Sequence, residues 1–288
     1  MSNKKYDSTF LALAAFETER TPGRIDAVLR EKGMEGVSAL AESLDQATSS
    51  ALRQKAADMG RRGIYTVLRG EPEYPQSLIH RGKTSAPILF CYGNHGLLAA
   101  DGIGMCGSRS VSDLGLKAAT ECGEEVSSRG LSVISGYAKG VDTATHLAAL
   151  RSGGATVIVL AEGFDHFKVK KVFAEEFDTE RLLVVSQFPP AQPWLAHGAM
   201  TRNRIIYGLS RALVVVEAGE RGGTLAAGEG ALRMGRPVFV LNFGQETPPG
   251  NKILLEKGGY PVGSRESLGH ILDKRPRDQG ASQLSLPV

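Results

Sequence analysis

Between residues 64 and 241 the chain alternates short, almost wholly apolar runs with segments of helical spacing, which leaves few possible architectures. The apolar runs are 64–68, 88–92, 103–106, 131–134, 155–160, 182–186, 212–216 and 237–241. A strand that is apolar on both faces is covered by helices on both sides, as in parallel sheets. The segments 112–129, 142–152, 170–177, 202–209 and 224–234 carry the helical period between them. Such alternation implies right-handed crossovers. The expected fold is α/β: an extended Rossmann-like, mostly parallel sheet with helices on both faces.

Residues 8–60 carry helical spacing and no strong strand. Thr21-Pro22 reads as a helix start and Gly33 as a stop, with Ile25, Val28 and Leu29 on one apolar face. A second helical pattern covers 37–59. The expected organisation is a small helical domain over 1–62, the Rossmann-like domain over 63–272, and a polar, mobile tail over 273–288.

The opening MSNKKYDSTF lacks the apolar centre of a signal peptide, and no window holds 18 uninterrupted apolar residues. Cys91, Cys106 and Cys122 form no CxxC pair. A cytoplasmic, reducing setting without a membrane span is therefore expected. The formal charge of +3 is too mild to identify a nucleic-acid partner, so any basic surface must come from local clustering. The histidines show no HExxH or HxH spacing, and GxSxG and Walker A patterns are absent. No metal, cofactor or nucleophile-based chemistry is expected.

The segment from Gly102 to Gly107 matches GxGxxG, but the strand lies inside the match and not before it. No acidic residue closes a second strand at the required distance, so a dinucleotide site is not expected. The turn after that strand, Gly107-Ser108-Arg109, is more informative. The next helix opens with Ser110-x-x-Asp113, a capping-box-like start. Arg109 thus emerges where helix N–H groups would face an anion, though a surface arginine beside a tight turn fits this loop equally well.

SGYAKGVD (135–142) repeats the arrangement. Ser135 and Gly136 end a strand, Gly140 permits close backbone approach, Lys139 can reach an anion, and Asp142 caps the helix. Two consecutive strands delivering such turns to one sheet edge favour a shared anion site. Further on, Arg202, Asn203 and Arg204 stand at an expected helix start, against the helix dipole. Glu217 is the expected carboxylate partner of those arginines, and a purely structural Arg–Glu pair is the rival reading. Gly222-Gly223-Thr224 makes a third glycine-rich turn at a helix start. Lys168, Lys170 and Lys171 form a short basic cluster, either a solvated face or an extension of the site.

Together these motifs resemble the DNA-processing protein A (DprA/Smf) family. The resemblance rests on GSR (107–109), SGYAKGVDTATH (135–146), RNRIIYGLS (202–210), VVVEA (214–218), GGTLAAGEGALRMGRPVFV (222–240) and GNKILLEKGG (250–259), in that order, with Tyr74-Pro75 upstream. It covers about residues 63 to 262. The resemblance implies a protein of natural transformation that binds and protects single-stranded DNA, delivers it to a RecA-type recombinase, and forms homodimers. By position, Gly107, Ser108 and Arg109 would face the DNA backbone. Ser135, Gly136, Lys139 and Gly140 would continue the pocket, with Arg202 and Arg204 supporting or extending it.

Several positions depart from the family pattern. Gly163-Phe164-Asp165-His166-Phe167 runs into Lys168-Val169 without Tyr-Pro, and Gln187 stands where Glu is familiar. Asn242-Phe243-Gly244 replaces Pro-Gly, Gly222-Gly223 replaces Ser-Gly, and a C-terminal winged helix, frequent in the family, is not expected. Two other functions remain open on the same fold. One is a nucleotide-ligand sensor. The other is a LOG-like nucleoside monophosphate phosphoribohydrolase, whose GG-x-GT-x-x-E signature is loosely matched by Gly222-Gly223-Thr224 with Glu229. Either needs a closed, nucleotide-sized pocket, whereas a strand binder needs an open basic groove past Arg109 and Lys139.

Overall fold

The computed structural model describes residues 7–274. The tail expected over 273–288 therefore lies outside the described residues except for its first two. Of these, Asp273 ends a helix and pairs with Arg129 Nε at 2.8 Å.

The strands are β1 (Ile64–Leu68), β2 (Ile88–Gly93), β3 (Gly102–Cys106), β4 (Ser132–Ser135), β5 (Thr156–Val159), β6 (Leu182–Ser186), β7 (Ala212–Val215), β8 (Val238–Leu241) and β9 (Tyr260–Val262). They form one sheet in the order β1-β2-β6-β5-β4-β3-β7-β8-β9. The β1–β2 and β2–β6 pairs are antiparallel and the others parallel. The sheet is thus Rossmann-like and mostly parallel, as the apolar runs require. β9 has no counterpart among the expected strands, because three residues around Pro261 carry no alternation to recognise.

The helices are α1 (Ser8–Glu19), α2 (Pro22–Glu42), α3 (Gln46–Arg61), α4 (Asp113–Ser127), α5 (Val141–Arg151), α6 (Ala196–Leu209), α7 (Gly223–Arg233), α8 (Pro249–Glu256) and α9 (Arg265–Asp273). Alternate side chains of a strand feed opposite layers. Leu182 and Val184 pack with Phe10, Ile25 and Met59 of the N-terminal helices, whereas Leu183 and Val185 pack with Ile206 and Tyr207 of α6. Helices α1–α3 therefore share their core with the sheet.

Four local expectations are corrected. The pattern over 37–59 is two helices, because Asp45 accepts the Thr48 N–H at 2.8 Å and starts α3; Gly33, with φ 60°, breaks α2 as expected of a stop. Residues 170–177 hold only a short 3-10 turn at Lys171–Phe173, because Lys170 is bound to Tyr137. α6 begins at Ala196, six residues before the expected start, its first turns masked in sequence by Gly198. α4 is capped by Ser112, not Ser110: the Ser112 hydroxyl accepts the Gly115 N–H at 3.0 Å.

The glycines of the false dinucleotide signature are strand residues chosen for space. A Cβ at Gly102 would fall on Ser132, and one at Gly104 would lie 2.7 Å from the Ser210 hydroxyl. The chain leaves β3 for β4 on one side, while β7 flanks β3 on the other. Beyond the carboxyl ends of β3 and β7 the connections diverge, which is where such sheets open a crevice.

Candidate nucleic-acid interface

Gly107-Ser108-Arg109 follows β3 at that divergence. Ser108 Oγ accepts the Ser110 N–H at 3.1 Å, which tightens the turn and leaves Arg109 exposed. Glu217, at the end of β7, accepts the Ser112 N–H at 3.0 Å and also the Ser112 hydroxyl. It ties the β3 and β7 connections together across the crevice. The expectation that Glu217 partners the arginines of α6 is thereby corrected.

The turn 135–142 is built around contact with the first one. Gly140 has φ 74°, and a Cβ there would fall on the Ser108 carbonyl oxygen; the adjoining Val141 N–H donates to that oxygen at 3.3 Å. Asp142 is not the helix cap, since Gly140 occupies that position. The Asp142 carboxylate instead accepts the Ala138 N–H at 3.1 Å and lies 3.0 Å from the Ser135 hydroxyl. Its place in the first turn of α5 suits the helix dipole. Neither α5 nor α7 has a side-chain cap, and both start at this edge of the sheet.

Arg202 lies in the middle of α6, so the argument from an unfavourable helix start does not apply to it. Burial singles it out instead. Its guanidinium packs on Gly136, where a Cβ would fall on it, and Nη2 faces Asp142 Oδ2 at 3.5 Å. Nε and Nη1 are buried without a hydrogen-bond partner among the described residues. Stranded donors of this kind are costly unless a ligand takes them. Beneath them, His146 is fully buried, with Nε2–H donating to the Gly136 carbonyl at 2.7 Å and Nδ1 2.6 Å from the Thr156 hydroxyl. Burial pushes its pKa down to about 4, so the ring is a neutral strut under the turn.

Two adjoining clefts open over these residues. The first, about 530 Å³, receives Gly107, Arg109, Arg202, Asn203, Gly223 and Thr224. The second, about 350 Å³, shares Arg109, Ala138, Trp194 and Arg202 with it and adds Lys139 and Lys170. Lys170 is half-buried, donates to the Tyr137 carbonyl and lies 4.0 Å over the Tyr137 ring. Burial lowers its pKa, with the positive charges of Lys139 and Arg109 acting in the same direction. The Arg109 guanidinium stands 5.4 Å from the ring of Trp194, which is 48% exposed. The result is an open trough with cations along its floor and an aromatic wall.

Not every expected residue reaches the trough. Ser135 is fully buried behind it, 2.7 Å from the Met105 carbonyl. Gly136, Gly140 and Gly222 shape the backbone. Lys168 and Lys171 are exposed and line neither cleft, so only Lys170 of that cluster extends the site. Arg204 faces away, into a separate groove. Trp194, Tyr137 and Met200 were missed. Trp194 left a usable signal, being the chain's single tryptophan and set after a proline.

Comparison with known proteins identifies the family. The model of the DNA recombination-mediator protein A family matches residues 65–273. The chain belongs to that family. As a DNA recombination-mediator protein A family member, it is 38% identical over 159 residues to DNA processing protein DprA of Streptococcus pneumoniae, covering 54% of this chain and 56% of that protein. It is 31% identical to DprA of Bacillus subtilis, covering 74% of this chain and 73% of the relative. Protein Smf of Escherichia coli is 34% identical over 68% of this chain and 53% of its own length. The chain thus spans little more than half the length of two of these relatives. The X-ray structure of the Streptococcus pneumoniae DprA superposes with a TM-score of 0.70 at 27% identity, covering 94% of both chains. The DprA of Helicobacter pylori, described for its single-stranded DNA binding mode, shares the fold at TM-score 0.63 and 21% identity, covering 73% of this chain and 96% of that one. The family match includes both clefts, whereas α1–α3 precede it. No helix among the described residues is long and apolar enough to cross a membrane.

Proposed function

We propose that this protein binds single-stranded DNA in the trough over β3, β4 and β7, protects it, and delivers it to a RecA-type recombinase in the cytoplasm. The observation that carries the reading is Arg202: a buried guanidinium with two unpartnered donors, set against Gly136 at the floor of an open basic cleft. Arg109, Lys139 and Lys170 would neutralise successive phosphates, and backbone N–H groups at the starts of α5 and α7 would donate to the same anions without reading sequence. Trp194 offers a face on which any base can stack.

The trough suits a strand better than a mononucleotide, because the two clefts run into each other past Arg109. The phosphoribohydrolase reading also lacks its glutamate. Glu229 is bound to Lys257 and lies 3.8 Å from Arg233, and it lines neither cleft. The protein in this reading is a binder with no catalytic step of its own, acting as a homodimer. Dimerisation is checked by light scattering of the purified protein.

The deciding experiment is fluorescence anisotropy of labelled oligo-dT titrated at several salt concentrations, with duplex DNA and nucleoside monophosphates as competitors. Salt-sensitive binding that resists both competitors supports the proposal. Displacement by a mononucleotide would transfer the site to a nucleotide sensor. Acceleration of recombinase filament formation on the bound strand then tests delivery.

A further inference from the structure

α6 has a second charged face. Residues 202 and 204 point to opposite sides of a helix, since successive residues turn by about 100°. Arg202 closes the trough, while Arg204 enters a groove of about 630 Å³ on the far side of the helix. Lys83, Arg233 and His80 line that groove too, and no carboxylate among the described residues lines it. Glu229 lies 3.8 Å from Arg233 and is also held by Lys257.

The groove has a built wall. His80 and Lys83 exchange backbone hydrogen bonds of 2.8 and 3.1 Å, closing a two-residue hairpin around Arg81 and Gly82. Both central residues have positive φ, 49° at Arg81 and 75° at Gly82. Such turns favour glycine or asparagine, and an arginine at the first position is held against its backbone preference. The tip is fixed because Arg69 Nη2 donates to the Gly82 carbonyl at 3.0 Å while the same side chain pairs with buried Asp26. A fixed turn of sequence His-Arg-Gly-Lys, facing two helix arginines without an acid between them, is arranged for an extended polyanion.

We propose that this groove is a second phosphate tract, in which a single strand leaving the Arg202 trough crosses α6 and lays its backbone between the 80–83 hairpin and Arg204. The inference rests on the strand-binding function above and extends it: α6 becomes a rib with DNA on both sides, and the site becomes longer than the trough alone. The ligand is the sugar–phosphate backbone, recognised by charge and not by base.

The test compares strand lengths. Lys83→Ala/Arg204→Ala, and the charge reversal Lys83→Glu/Arg204→Glu, are titrated by anisotropy against oligo-dT of about 4 nucleotides, which fills only the trough, and of about 30, which outruns any one site. Each lost phosphate contact lowers the salt slope by about 0.7, or roughly fivefold in affinity near 0.1 M salt. The double alanine variant should therefore bind the long strand about 25-fold more weakly with a slope smaller by about 1.4, and bind the short strand as wild type does. Charge reversal should deepen the long-strand loss.

Unchanged long-strand binding in both variants, alongside weakened binding in Arg109→Ala, would overturn the second tract and leave the trough standing. Equal weakening of short and long strands would overturn it as well, since the charges would then act through the general field. A wild-type protein that binds neither length would remove the trough reading first and this one with it. Both exchanged side chains are exposed, so unaltered thermal melting is the expected control.

Discussion

Arg202 Nη2 stands 3.5 Å from Asp142 Oδ2, with the two side chains only 8% and 9% exposed. Removing one partner of a buried pair leaves an uncompensated charge, at about 3 kcal/mol or more. Asp142→Asn should therefore lower the unfolding free energy by that amount, seen as a lower urea midpoint with the slope unchanged. It should also disturb the 135–142 turn, because the carboxylate holds the Ala138 N–H. A wild-type midpoint would mean that the guanidinium finds water in the folded protein.

Trp194 should report strand binding directly. As the single tryptophan it supplies the chain's indole fluorescence, and base stacking on it should quench that emission. Trp194→Ala should cost about 1–3 kcal/mol of binding free energy while leaving the salt slope intact, since the loss is of stacking and not of a phosphate contact. A change in slope would place Trp194 outside the base-binding wall.

Arg109→Ala and Lys139→Ala should do the opposite. Each should lower the salt slope by about 0.7, and the double variant by about twice that. The Arg109 change should also free the Trp194 ring, visible as a shifted emission maximum in the unbound protein. Slopes that stay at the wild-type value would remove both residues from the phosphate path.

His146 gives the fold an acid limit. Its folded pKa of about 4 lies below the ordinary 6.5, so in moderate acid the unfolded chain takes up a proton that the native state refuses. Above about pH 6.5 the group costs nothing; as pH falls from there to about 4, stability should drop by roughly 1.4 kcal/mol per unit. His146→Gln should flatten this part of the pH–stability curve, measured by denaturant titration. The same slope in the variant would assign the acid sensitivity to other groups.

The sheet was legible because its central strands are apolar on both faces, a pattern that survives without any partner information. The glycine turns were legible for a similar reason: Gly140 and Gly107 mark backbone that must come close to something. What they approach was not legible. Gly140 makes room for the Ser108 carbonyl and Gly136 for Arg202, and each contact joins segments far apart in sequence. Glu217 was assigned to the wrong cation because the true start of α6 was hidden by Gly198. Once that helix is extended, Arg202 turns toward Asp142 and Arg204 away from the trough. Lys170 could not be separated from Lys168 and Lys171 by spacing alone, since its bonds to Tyr137 come from across the sheet edge.

The two ends of the sheet bear on how such a chain stays in solution. A row of nearly uninterrupted valine, leucine and isoleucine strands would recruit further copies if either outer strand offered a free ladder. At one end the Leu68 N–H is taken by the Glu71 carboxylate at 2.8 Å. At the other, β9 is three residues long and has a proline at its centre. One margin thus has a ladder donor occupied and the other is short and interrupted, which reduces what the sheet offers as a template for fibres.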